Sequence, residues 1–416
     1  MRRALRAFVV LIAVFFAWPS VAHAEPGDEL TISVLTFGPG DHPFFKFGHN
    51  AILVHDASRA DMRKDMVYNF GTFGFESWTL IPNFFRGKLQ YWLSIQSLGG
   101  TVALYREENR TIVEQELELT PKQRREIADA LWINALPANK YYKYDYYQDN
   151  CSTRVRDAVD KVIGGRIKAA STPPAGMSWR SHTRRLTADD LPVYLGLHAA
   201  MGSFIDQKIT IWEEMFLPVI VQETLRKVTV LGPDGAERPL VKREREILAA
   251  PGRPPLRTVP PQWSLWMFLV GTAIGGVFYG LFQAQSRKPA RIVLGVTLSF
   301  FGLVLGFLGS LFCAFWFFTD HQVAYHNENI LQMAPTLLGL VGAGIQLARG
   351  KPSGDRVRLL LVVSAGASVL GLMFKVLPWF RQDNAEIIAL MLPIWVGAAA
   401  GAEVARRKAV AKLLPG

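Results

Sequence analysis

Tyr141-Tyr-Lys-Tyr-Asp-Tyr-Tyr-Gln-Asp149-Asn150-Cys151-Ser152-Thr153-Arg-Val155-Arg-Asp-Ala158-Val159-Asp-Lys-Val162-Ile163-Gly164-Gly165 is the stretch on which the fold turns. Val155, Ala158, Val159, Val162 and Ile163 recur at helical spacing, and the glycine pair supplies a stop, so a helix is predicted from Cys151 onward. The aromatic, polar approach is unlike the lead into a core helix. Cys151 then falls in the first turn, where backbone N–H groups and the helix dipole stabilise a thiolate and lower its pKa. The same N–H groups suit part of an oxyanion hole. A buried structural cysteine would more naturally sit mid-helix on the Val155/Val159 face. Cys151 is therefore the candidate nucleophile.

Working outward, the 416-residue chain divides into a polar and an apolar part. Met1-Arg2-Arg3 and Arg6, an apolar Ala7–Trp18 and the Ala22-His23-Ala24 site read as a signal peptide over residues 1–24. Residues 25–250 contain no apolar run long enough to cross a bilayer and form an exported domain. A Pro-rich linker (251–262) follows, then a membrane domain (263–405) and a basic tail (406–416). Trp263–Ala284, Ile292–Phe318, Ile330–Leu347, Leu359–Leu377 and Ile387–Val404 each have roughly the length a bilayer core requires, which predicts five transmembrane helices. Arg287, Lys288 and Arg291, then Arg349, Lys351, Arg356 and Arg358, then Arg406, Arg407 and Lys408 fill alternate connectors. By the positive-inside rule these segments are cytoplasmic, and the catalytic domain lies in the periplasm of an inner-membrane, multi-pass protein. The net charge of +11 is thus mostly a topology signal, and no nucleic-acid partner is expected. Gly271 and Gly275, with Gly397 and Gly401, are placed for close helix packing.

Of the two cysteines, Cys313 lies in the second apolar stretch, which leaves Cys151 without a disulfide partner in an oxidising compartment. No nucleotide loop or metal-ligand spacing occurs, so neither a cofactor nor a metal is expected. A thiolate nucleophile needs an imidazole oriented by a further polar group. Phe47-Gly48-His49-Asn50-Ala51-Ile52-Leu53-Val54 reads as a strand, with Met66-Val67-Tyr68-Asn69-Phe70-Gly71 as its antiparallel neighbour. Alternation puts His49, Ala51, Leu53 and His55 on one face, with small Ala51 leaving room for a helix N-terminus. Asn69 or Tyr68 on the facing strand would orient the ring. Lys375 is placed to snorkel or to meet a headgroup.

Histidine on an early strand followed by an Asn-Cys that opens a later helix is a circularly permuted papain-like order. Asn150-Cys151 resembles the Asn-Cys of lecithin-retinol acyltransferases. A closer resemblance is to the Lnb family of bacterial lipoprotein N-acyltransferases. It is carried by Gly48-His49-Asn50-Ala51, Tyr68-Asn69-Phe70-Gly71-Thr72-Phe73, Phe85-Arg86-Gly87-Lys88-Leu89-Gln90-Tyr91-Trp92, Tyr144 to Thr153, Trp212-Glu213-Glu214-Met215-Phe216-Leu217-Pro218, His321 and Asn327-Glu328-Asn329. The resemblance implies an α+β, permuted papain-like (NlpC/P60- and LRAT-like) periplasmic thiol acyltransferase domain fused to a helical membrane bundle. It further implies that Cys151, with His49 as base, takes an acyl chain from a phospholipid as a thioester. The acceptor would be the α-amino group of a diacylglyceryl-cysteine lipoprotein. Arg86, Lys88 and Arg110 suit a phosphate headgroup, and exposed basic side chains account for them equally. His321, Asn327 and Asn329 fall on the Cys151 side of the membrane, as a headgroup contact or as a solvated loop.

Two other classes compete. A papain-like cysteine peptidase or amidase would cut cell-wall peptides and would need only a membrane tether. A non-catalytic assembly or transport protein would carry Cys151 incidentally.

Overall fold

The computed structural model describes residues 25–74, 83, 86–88, 90–232, 234–351 and 354–411. The signal peptide expected at 1–24 lies outside them. Strands β1 (Leu30–Phe37), β2 (His49–Asp56), β3 (Asp65–Thr72), β4 (Gln90–Ser97), β5 (Ile112–Leu117), β6 (Tyr141–Lys143) and β9 (Val241–Leu248) form one sheet in the order β6-β4-β3-β2-β1-β5-β9. Every pairing in it is antiparallel. The expected β2/β3 hairpin is present. A separate antiparallel pair is formed by β7 (Thr229–Leu231) and β8 (Glu237–Pro239).

Both faces of the sheet are covered. On one, Ile32, Val34, Ile52, Val54, Tyr68 and Phe70 pack against helices Pro121–Ala135 and Cys151–Val162. Val155 and Val159 are completely buried there, each contributing about 1.5–3 kcal/mol. On the other, Leu35, Phe37, Ala51, Leu53 and Val67 pack with Tyr105 of helix Leu98–Glu107. The domain is α+β: an antiparallel sheet between helical layers.

Four helices of the described residues are long and apolar enough to cross a membrane: Ser264–Gln283, Lys288–Phe318, Asp355–Val376 and Ala385–Ala411. This corrects the expectation of five. The stretch expected over Ile330–Leu347 is broken into short turns, Glu328–Leu331 and Pro335–Leu338, before an α-helix confined to Gly339–Ala348. Pro335 lacks the N–H that a continuous helix would use. Asn329 and Gln332 are buried as polar partners rather than placed on a lipid-facing stripe. The segment still runs beside the second span. A Cβ on Gly309 would sit against Met333, and one on Gly295 against Gly344 and Ala348. The first and last spans meet through the expected glycines. A Cβ on Gly271 would lie 2.2 Å from the Leu390 carbonyl oxygen, and one on Gly275 2.3 Å from that of Pro393. The basic connectors gather at one end of the bundle: Arg291 near Gly350, Arg358 on Glu403, and Lys408 on Gln283.

The opposite end of the bundle receives the sheet domain. Helix Leu191–Ala200 lays Leu195 and Ala199 into the apolar core of the bundle. Its last carbonyls, which have no intrahelical donor, accept from Asn327 and Asn329. The Nδ2 of Asn327 lies 2.8 Å from the Ala199 oxygen, and that of Asn329 3.0 Å. Arg184 reaches the fully buried Glu386 at 2.7 Å, and Tyr194 donates to the same carboxylate. The Lys375 side chain remains partly exposed. Its ammonium is bound within the bundle by Glu328 and by the Gln382 carbonyl.

Candidate active site

Asn150 shapes the start of the Cys151 helix. Its backbone is extended, and its Oδ1 accepts from the N–H groups of Ser152 (2.8 Å) and Thr153 (3.0 Å). The Thr153 hydroxyl takes the Asn150 N–H in return, closing a reciprocal cap. The Asn150 Nδ2 donates to the carbonyls of Tyr146 and Phe216 at 2.9 and 3.0 Å, which ties the aromatic approach and the Trp212–Pro218 motif to the helix start. Asn150, a candidate catalytic residue by sequence, is here a cap with both functions of its amide in use. The expectation for the oxyanion donors narrows accordingly. Two N–H groups of the first turn are occupied by Asn150, and among the described residues that of Cys151 has no partner.

The same motif is packed, not projecting. Trp212 lies under the Arg156 guanidinium at 3.7 Å, Glu214 holds His182 at 2.7 Å, and Met215 to Leu217 are buried.

His49 is the first residue of β2, paired with Phe37 of β1, and its ring stacks on that phenyl at 5.5 Å. Gly48 before it has φ +82°, and a Cβ there would lie 2.7 Å from the Phe37 carbonyl oxygen. Ala51 does not make room for the Cys151 helix, as alternation had suggested. Its face is the one covered by Tyr105, and the helix packs on the opposite face. Gly71 faces the helix start instead, with a φ of +86° inside the irregularity of the β3/β4 ladder between Asn69 and Thr72. A Cβ there would stand 3.6 Å from that of Cys151.

Although His49 belongs by alternation to the other face, it reaches Cys151 because both lie at the same end of the sheet. Burial alone would push the Cys151 thiol up. The charge of His49, a hydrogen bond from its side chain, the Asn50 N–H and the Ser152 hydroxyl outweigh that and bring the thiol down to about 7. A thiol in this state is substantially ionised at neutral pH.

The pair opens into a cavity of about 780 Å³. Its walls are largely apolar and aromatic: Phe45, Phe47, Tyr105 and Tyr144 near the thiol, then Val193, Gly196 and Leu197 of helix Leu191–Ala200, and Phe315 from the outer end of the second span. Asn69, Arg110 and His321 also line it. Tyr68 does not; it lies in the core with Val155, where burial raises its phenol. No hydrogen bond among the described residues joins Asn69 or Tyr68 to His49; the imidazole stacks on Phe37 and bonds to Cys151.

Arg86 and Lys88 are exposed and are not among the residues lining the cavity. The segment they flank docks on the outer loop, with Asp320 donating its N–H to the Arg86 carbonyl at 3.2 Å. Asn327 and Asn329 are neither solvated nor in the cavity, since their amides are spent on the helix Leu191–Ala200. That helix and Phe315 are components that sequence reasoning missed. The signal was a short apolar run, Leu191–Ala200.

Residues 21–185 match the family model of the Lnb N-terminal periplasmic domain, a stretch that holds His49, Arg110 and Cys151. Comparison with curated proteins and with solved structures finds no match.

Proposed function

From an Lnb N-terminal periplasmic domain joined to four helices long and apolar enough to cross a membrane, we propose that the chain is a membrane-bound cysteine acyltransferase. It moves a fatty acyl chain from a phospholipid, through a thioester on Cys151, to the α-amino group of a diacylglyceryl-cysteine lipoprotein. The observation that carries this reading is the cavity. An activated thiol faces a largely apolar space whose lining includes Phe315 of a candidate membrane span, which suits a lipid chain better than a polar peptide.

In the first half-reaction His49 takes the thiol proton, and the thiolate sulfur bonds to the ester carbonyl carbon. The tetrahedral oxyanion is stabilised by the N–H of Cys151 at the positive end of its helix. The C–O bond then breaks, and the lysophospholipid leaves with the proton held by His49. In the second half-reaction the acceptor amine attacks the thioester carbonyl and gives its proton to His49. The C–S bond breaks, which regenerates the thiol and leaves an amide. The strand-borne histidine that precedes the helix-start cysteine fits a permuted papain-like arrangement. By the positive-inside rule the basic end of the bundle and the C-terminus face the cytoplasm, and the sheet domain faces the periplasm of the inner membrane.

The test is the acylation state of lipoproteins in cells carrying the wild-type chain or Cys151→Ala, with mass spectrometry of the trapped intermediate. A fatty-acyl mass on Cys151 is expected. A peptidyl mass would turn the reading toward a cell-wall peptidase, and full function in Cys151→Ala would end the enzyme reading.

A further inference from the structure

Arg110 stands in the wall of the Cys151 cavity and is 2% exposed. Its Nε donates to the Gly38 carbonyl at 2.9 Å and its Nη1 to Glu108 at 2.9 Å. The guanidinium lies over the rings of Phe45 (4.8 Å) and Tyr105 (4.5 Å). The remaining nitrogen, Nη2, is buried without a hydrogen-bond partner among the described residues. A buried charged donor left unpaired is costly, and one in the wall of a cavity calls for a water, an ion or a ligand group to satisfy it. Arg110 is also linked to the reacting pair by stacked rings: Tyr105 on Phe37 at 4.0 Å, and Phe37 on His49 at 5.5 Å. A ligand anion at Arg110 would therefore sit within the same cavity as an ester carbonyl at Cys151. Arg86 and Lys88, exposed and outside this wall, have no comparable geometry.

Resting on the acyltransferase reading, we propose that Nη2 of Arg110 binds the phosphodiester of the acyl donor. The cavity then selects a phosphate-bearing lipid ester over an uncharged one of the same chains. The Gly38 carbonyl, Glu108 and the two rings engage the rest of the guanidinium, which leaves Nη2 as the nitrogen free for a ligand. The shape of the guanidinium matters as well as its charge, because a planar donor matches phosphate oxygens in a way an ammonium does not.

The test uses the full-length protein in detergent micelles, with dioleoyl-phosphatidylglycerol or dioleoylglycerol as the only donor. The rate of oleoyl-thioester formation on Cys151 is read by mass spectrometry, and iodoacetamide alkylation of Cys151 serves as the control for an intact site. A charge-assisted hydrogen bond predicts that the wild type uses the phospholipid about tenfold or more faster than the diacylglycerol. Arg110→Gln should bring the phospholipid rate down to the diacylglycerol rate while leaving alkylation unchanged, and Arg110→Lys should recover part of the difference. Equal use of both donors by the wild type overturns the anchor and leaves the acyltransferase reading standing. Loss of alkylation together with both rates in Arg110→Gln and in Arg110→Lys also overturns it, in favour of a purely structural arginine. Absence of any thioester with either donor in the wild type is a different failure, that of the acyltransferase reading, and the anchor falls with it.

Discussion

The side chains of Cys151 and His49 approach each other from opposite sides of one sheet. The cysteine opens a helix packed on the Ile52/Tyr68 face, whereas His49 alternates with residues of the Tyr105 face and stacks on Phe37. They meet at the end of the sheet, where Gly71 leaves the helix start close to the strands. The reactivity of the thiol is a property of that meeting.

Alkylation of Cys151 by iodoacetamide should follow a titration centred near 7, with the thiolate present above that pH and lost below it. His49→Gln removes the charge that lowers the thiol while leaving the burial that raises it. A thiol at its ordinary value of about 8.5 is only ~3% ionised at pH 7, so alkylation there should fall by about tenfold or more. An unshifted profile in His49→Gln would remove His49 from the site.

Asn150→Ala frees two first-turn N–H groups and strips two buried carbonyls of their donor. Loss of the cap alone costs about 0.5–2 kcal/mol, which should appear as a lowered melting temperature. Asn150→Asp keeps the acceptor and loses the donor, so it should fall between the two. If both variants melt with the wild type, the cap is not what holds the helix start.

Gly196 is exposed yet lines the cavity, and a Cβ built there meets nothing within 4 Å. Gly196→Leu should fold at least as well as the wild type, because glycine inside a helix costs about 1 kcal/mol relative to alanine. The added side chain fills the space in which an acyl chain would lie. Thioester formation from long-chain donors should drop while that from short-chain donors persists. Uniform behaviour across chain lengths would place the acyl chain elsewhere.

Glu386 holds Arg184, Tyr194 and the Trp263 N–H together where the two domains join. Breaking a buried pair by removing one partner typically costs about 3–5 kcal/mol. Glu386→Ala should therefore loosen the sheet domain from the bundle, seen as faster trypsin cleavage in the 251–262 linker with cleavage within the sheet unchanged. Cleavage at the wild-type rate would show that the apolar contacts of helix Leu191–Ala200 suffice alone.

Local features were legible in the chain itself. Helical spacing after Cys151, the aromatic lead, the Gly-preceded His49 strand and its antiparallel neighbour, and the glycine contacts of the outer spans are all short-range patterns. Each shows in a window of a few residues, because periodicity and backbone freedom act over that distance. The motif residues with their amides spent on packing, Asn150, Asn327 and Asn329, looked alike in sequence. A side-chain amide reads the same whether it faces substrate, water or a carbonyl far along the chain.

Tertiary structure alone decided three things. It put Gly71, not Ala51, against the Cys151 helix, because a ladder irregularity changes which face is open. It broke the third apolar stretch, where hydropathy counts residues but does not see that Asn329 and Gln332 need partners. It also built the cavity from segments distant in the chain: β2, the Cys151 helix, helix Leu191–Ala200 and the end of the second span. The sequence by itself determined that Cys151 begins a helix and that a histidine strand precedes it. The cavity in front of that thiol exists only where those distant surfaces close around it.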